Sequence, residues 1–189
     1  MKVDGNQLRP GNVLEHQGRL WRVAKTQHVK PGKGGAFMQC ELRDVRDGTK
    51  LNERFRADQT VERVRLEQRP YTYLFHDEDM YTFMDGETFE QVNIPSRLIG
   101  EDQAAFLQDG MQVEIEFYEE EPLNVRLPET VTLEIAEAEP VVKGQTASSS
   151  YKPAVLENGV KIMVPPHVEA GIRVVVNTED GSYVERAKD

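Results

Sequence analysis

Long apolar runs are missing from this chain of 189 residues, and so are long amphipathic helical patterns. No segment approaches the roughly 20 apolar residues that a helical membrane span needs. The first residues, Met1-Lys2-Val3-Asp4-Gly5, contain no apolar signal segment. There is one cysteine, Cys40, so no internal disulfide can form, and its place on an alternating strand suggests a core thiol. These features lead us to expect a cytoplasmic protein with no membrane association. The four histidines, His16, His28, His76 and His167, are scattered without metal-ligand spacing, so no metal site is expected. Ser148–Ser150 lie in a low-complexity stretch and form no nucleophile elbow. His76-Asp77-Glu78-Asp79 and Glu119-Glu120-Glu121-Pro122 read as charged turns, since neither follows a calcium-loop pattern. No catalytic residue stands out, and the chain is not expected to be an enzyme.

What is present is β-strand pattern. Apolar residues make up 38% and charged residues 30%, the balance of an ordinary folded protein. Alternating or β-branched runs recur at Asn12–His16, Leu20–Gln27, Ala36–Arg43, Lys50–Arg56, Tyr71–Phe75, Met80–Met84, Gln112–Tyr118, Asn124–Leu127 and Val131–Ala136. Turn signals such as Asp47-Gly48, Asp85-Gly86, Asp109-Gly110 and Asp180-Gly181 separate them. Many short strands at this spacing predict small β-barrels. One helix is expected at Glu101–Gln108, stopped by Asp109-Gly110.

The formal net charge is −10, which argues against a nucleic-acid partner until its distribution is read. Residues 1–64 carry a net +5, residues 65–128 a net −11 and residues 129–189 a net −4. A basic head can neutralise phosphates locally, while an acidic body discourages indiscriminate binding to RNA. The charge flips near Val64-Arg65-Leu66-Glu67, and Pro128 marks a second seam. Three units follow: 1–65, 66–128 and 129–189.

Chemistry concentrates in the first unit. The run Lys30-Pro31-Gly32-Lys33-Gly34-Gly35 lies between two strand patterns and reads as a hairpin tip. It sets one long cation between glycines, which carry no side chain to shield it. Turn geometry and solubility alone would also favour Gly and Lys at such a tip. A phosphate-cradling nucleotide loop does not fit, because Gln27 stands at the first glycine position and Gly34 follows the lysine where Ser or Thr is needed. Arg22, Lys25 and His28 add positive or titratable groups on the same hairpin, as either a solvated face or an RNA-contacting arm. Aromatic residues are sparse at the tip, so any RNA contact there would be to phosphate and shape.

The last third carries a specific pattern. Lys152-Pro153-Ala154, Gly159, Ile162-Met163-Val164-Pro165, Val168 and Gly171, at these spacings, resemble the C-terminal signature of the bacterial elongation factor P family. The Lys30–Gly34 tip looks like that family's modified-lysine loop. Thr49–Phe55, Asp79–Asp85 and Gly181–Arg186 resemble further family segments, so the resemblance covers essentially the whole chain.

The resemblance implies an all-β fold of three small barrels, an SH3-like (KOW-like) N-terminal barrel and two OB-folds, in an L-shaped, tRNA-like arrangement. It implies a translation factor that binds the 70S ribosome between the P and E sites. Such a factor promotes peptide-bond formation at stalled, above all polyproline, sequences by positioning the P-site peptidyl-tRNA. Lys33 would be the residue that reaches toward the peptidyl transferase centre. In many members a β-lysyl group extends the matching lysine, so a lysine-modifying enzyme is an expected partner, with no other cofactor.

Ribosomal RNA and the E-site mRNA codon are further implied partners. The codon would be met by a loop at Gly144-Gln145-Thr146, where family members commonly carry Gly-Asp-Thr; Gln145 loses that charge and adds donors. Tyr183 and Arg186 are RNA-facing candidates at the C-terminal end. A monomer is expected. The alternative is a paralogous ribosome-binding factor of the same architecture acting on other stalls. A general OB-fold RNA binder would instead bind free single strands through exposed aromatics with steep salt dependence.

Overall fold

The computed structural model describes residues 1–141 and 150–188, so the Gly144-Gln145-Thr146 segment lies outside the described residues. Among the described residues sixteen strands form three sheets. The chain divides into two compact units: one of Met1–Arg69 with Ile115–Asn124, the other of Pro70–Glu114 with the described part of Val125–Asp189.

The first unit contains β1 (Lys2–Asp4), β2 (Val13–His16), β3 (Arg19–Val29), β4 (Phe37–Asp44), β5 (Lys50–Arg56) and β6 (Thr60–Val64). They pair in the order β1-β6-β2-β3-β4-β5. Alternation dictates the inner face: Met38, Cys40 and Leu42 of β4 point in, while Gln39 and Arg43 are exposed. They pack with Leu8, Leu14, Trp21, Val23, Phe55 and Val61. Cys40 is fully buried, and burial pushes its thiol up to about 11.

A bulge at Ala24 breaks the β3–β4 register, with Val23 opposite Leu42 and Lys25 opposite Glu41. Before it β3 lines the core; beyond it Ala24, Lys25, Gln27 and His28 are exposed, and the hairpin leaves the barrel. A 3₁₀ turn at Gly5–Gln7 packs on β4 and β5.

The second sheet comprises β7 (Glu67–Asp77), β8 (Met80–Asp85), β9 (Gln91–Pro95), β10 (Gln112–Tyr118) and β11 (Glu121–Arg126), in the order β11-β10-β7-β8-β9. Tyr71, Tyr73, Phe83 and Ile94 are buried in the second unit. The helix expected at Glu101–Gln108 is corrected to a single turn, α1 (Glu101–Ala104). Phe106 is the one buried side chain between Glu101 and Gln108, too little apolar surface to hold a longer helix.

The third sheet comprises β12 (Thr130–Ala138), β13 (Lys152–Leu156), β14 (Lys161–Val164), β15 (Arg173–Asn177) and β16 (Tyr183–Arg186), in the order β14-β13-β12-β15-β16. Its edge strands β14 and β16 also touch, which curls the sheet around Leu133, Ile135, Val164, Val174 and Val176. The chain is all-β. No helix among the described residues is long and apolar enough to cross a membrane.

Candidate functional site

Strands β3 and β4 end at Val29 and Phe37, and the seven residues between them form the tip. Lys30, Pro31, Gly32, Lys33, Gly34 and Gly35 are all exposed. Gly34 has φ +95°, a conformation that a Cβ would strain. A Cβ at Gly32, Gly34 or Gly35 would meet nothing within 4 Å, so the loop is thin on every side. Its base is tied down where the Ala57 N–H donates to the Ala36 carbonyl at 3.0 Å.

Below the tip, the Arg54 guanidinium carbon lies 4.4 Å from the Phe37 ring centroid. Arg56, opposite Phe37 in register, is well exposed. Gly35, Ala36, Phe37, Arg54, Arg56, Ala57 and Asp58 line a hollow there. Arg54 and Arg56 had no part in the site read from sequence. The signal was available: with Phe55 buried, alternation along β5 puts Lys50, Asn52, Arg54 and Arg56 on the exposed face.

Lys25 and His28 lie exposed on the outer half of β3. Arg22 is employed differently. Its Nη2 donates to Glu116 Oε1 at 2.9 Å, and Glu116 is only 3% exposed. A guanidinium committed to a buried carboxylate is not a free cation on the arm. Tyr183 and Arg186 lie on β16 in the other unit, Arg186 exposed and Tyr183 half-buried in edge contact with Tyr151 at 6.4 Å.

His76 in the first acidic turn, and Glu120 and Glu121 in the second, have partners within the fold. The Tyr73 hydroxyl and His76 Nδ1 are 2.9 Å apart, and the His76 ring stacks on Tyr81 at 5.0 Å. Glu120 and Glu121 are gripped by Arg69 and Arg46, respectively. Among the described residues no three His, Cys, Asp or Glu side chains are grouped to hold a metal.

Family models match along nearly the whole chain. The elongation factor P (EF-P) KOW-like domain matches residues 4–61, the EF-P OB domain residues 66–125, and the elongation factor P C-terminal domain residues 131–186. The chain belongs to the elongation factor P family. Elongation factor P of Chelativorans sp. (strain BNC1) is 60% identical over 187 residues, spanning 99% of this chain and all of the relative. That of Parvibaculum lavamentivorans is 59% identical over the same shares.

Among solved structures, eukaryotic translation initiation factor 5A from Methanococcus jannaschii superposes with a TM-score of 0.55 at 23% identity. The match covers 68% of this chain and 92% of that one, a likeness of fold. This elongation factor P family member is therefore a translation elongation factor, and its setting is the ribosome.

Proposed function

We propose that this factor binds the 70S ribosome between the P and E sites. There it promotes peptide-bond formation at stalled, especially polyproline, sequences by positioning the P-site peptidyl-tRNA through the Lys33 loop. The observation that carries this reading is the tip: one exposed lysine among glycines that leave open space around it. A thin loop enters a crowded RNA site, and a long cation at its end meets phosphate or ribose without folding consequences. Proline is a rigid participant in peptide transfer. Holding the tRNA end in a reactive geometry removes an entropic part of the barrier.

In this reading the protein is not an enzyme. The ribosome catalyses and Lys33 transfers no proton. A β-lysyl group added to Lys33 by a modifying enzyme would lengthen the arm and add donors. Lys25 and His28, with Arg54 and Arg56 at the base, would meet RNA backbone. The Gly144-Gln145-Thr146 segment would approach the E-site codon, and Tyr183 and Arg186 would face RNA at the other end of the chain. The factor would act as a cytoplasmic monomer.

The test is synthesis from a Pro-Pro-Pro message in a purified translation system, with and without the protein, against an alanine control. Selective acceleration of the proline message is expected. No acceleration by protein whose intact mass matches the native form would overturn the reading.

A further inference from the structure

Glu116 is a buried carboxylate in a segment that otherwise presents its acids to solvent. It lies on β10, in the stretch Ile115–Asn124 that packs as part of the first unit. Its Oε1 accepts from Arg22 Nη2 at 2.9 Å and from Asn124 Nδ2 at 3.1 Å. Gln68 Nε2 stands 3.5 Å from Oε2. An acid buried this deeply is retained with charged and hydrogen-bonding partners, and Arg22 is a charged one. Around it, Val13, Leu20 and Leu123 form an apolar cluster with Val64, Leu66 and Tyr118 packed on it. The Ile115–Asn124 stretch is thus packed onto β2 and β3, with the Arg22–Glu116 pair as its polar pin.

Arg22 occupies a critical place on β3. It lies two residues before the bulge at Ala24, where the strand turns from core-lining to exposed. Beyond that point, among the described residues, β4 is the strand that pairs with β3, and Lys33 rides at the far end. From Arg22 to Val29 the strand rises about 23 Å, so a tilt of about 5° at the base moves the tip by about 2 Å. Displacement of a positioning group by about 1 Å can cost about 100-fold in rate. Arg46, in the β4–β5 turn, also holds Glu121, and Arg69 on neighbouring β7 holds Glu120, but these carboxylates are 51% and 80% exposed. Exposed pairs of this kind hold geometry weakly.

We infer that Glu116 is a positioning residue, which through Arg22 fixes the direction in which β3 carries the Lys33 tip. The functional half of this inference rests on the proposed function; the structural half does not. Glu116→Gln keeps the side-chain shape and removes the buried charge, leaving the half-exposed Arg22 to water. Arg22→Gln and the double variant complete the cycle, and Arg46→Gln is the control for an exposed link.

Spin labels on Gln27→Cys and Glu119→Cys, both exposed positions of the first unit, report the geometry by double electron–electron resonance, because buried Cys40 stays unlabelled. Glu116→Gln should broaden the distance distribution, and Arg46→Gln should not. In unlabelled proteins, Glu116→Gln and Arg22→Gln should each slow the Pro-Pro-Pro message about tenfold at saturating factor, with the double variant no worse than either. A distribution for Glu116→Gln superimposable on the wild type's, confirmed with Arg22→Gln, would overturn the inference. A broadened distribution in a protein whose wild type relieves no stall would leave the pin standing and remove the proposed function instead.

Discussion

Nε2–H of His16 donates to Oε2 of Glu53 across 3.0 Å, joining β2 to β5 in the barrel that supports the Lys33 hairpin. The same ring sits edge-on to Phe55 at 5.2 Å, and the His16 carbonyl accepts from Trp21 Nε1 at 3.0 Å. The ring of His16 thus ties internal strand β2 to edge strand β5 across the first unit. The hydrogen bond from His16, aided by the Arg54 N–H and opposed by partial burial, holds the Glu53 carboxyl below the ordinary glutamate range.

A carboxyl depressed in the folded state stabilises the fold fully above its unfolded pKa of about 4.3, and that contribution fades as pH falls through the lower folded value. Glu53→Gln should cost on the order of 1 kcal/mol at neutral pH. It should also flatten the acid limb of a urea-midpoint-against-pH curve below about pH 4.3. An acid limb unchanged from wild type would refute the link.

Lys33→Ala should leave stability within about 0.5 kcal/mol, because the side chain is exposed in a loop whose glycines have no neighbours. The same variant should largely lose acceleration of a Pro-Pro-Pro message. Thermal unfolding and the reporter assay separate the two effects. Full activity in Lys33→Ala would remove the positioning role from this residue.

Gly34 differs from Gly32 and Gly35 in its backbone, with φ at +95°. Gly34→Val therefore strains the loop by about 1–2 kcal/mol or forces it into another shape, even though no atom stands in the way of a Cβ. Activity in the reporter assay should fall for Gly34→Val and much less for Gly32→Ala. Equal losses at both positions would point to bulk in the RNA site, not loop shape, as the determinant.

Strict alternation made some strands legible to the residue. Lys50–Arg56 and Gln112–Tyr118 have in the fold the bounds read from sequence. The strands β1, β6 and β9 lie outside the runs read from sequence, being three to five residues long with few buried side chains to mark a period. So do β13, β14, β15 and β16, which are only four or five residues long, too short for alternation to stand out. The helix expected at Glu101–Gln108 overextends because Asp109-Gly110 is a stop signal five residues beyond Ala104, the last helical residue.

Part of the local geometry is legible in the sequence and part is not, for a physical reason. Glycines around a lysine mark a tip from local chemistry alone, but the partner of Arg22 lies 94 residues away. Glu116 was hidden as one more acid in an acidic stretch. Ile115, Glu116 and Phe117 are all buried, so β10 is covered on both faces there, and the alternation that marks the strand puts Glu116 on the wrong, solvent-facing side.

Gly5 carries no turn or motif signal in the sequence, yet it is among the most constrained residues of the first unit. It is buried in the 3₁₀ turn after β1, and its N–H donates to the Gln59 carbonyl at 2.8 Å. A Cβ there would run into the Arg56 carbonyl oxygen and meet the Phe55 Cβ at 3.2 Å. The first obstacle is backbone of β5 and cannot rotate away, so Gly5→Ala must push the turn off the strand. Overpacking of this kind costs about 1–3 kcal/mol. The displacement would be felt at Arg56, at the foot of the Lys33 loop. Gly5→Ala should therefore lower the urea midpoint of unfolding, while Gly11→Asn, at an open positive-φ turn, should barely change it. A Gly5→Ala protein as stable as wild type would show that the turn has room to move, and that the close approach to β5 is not required by the fold.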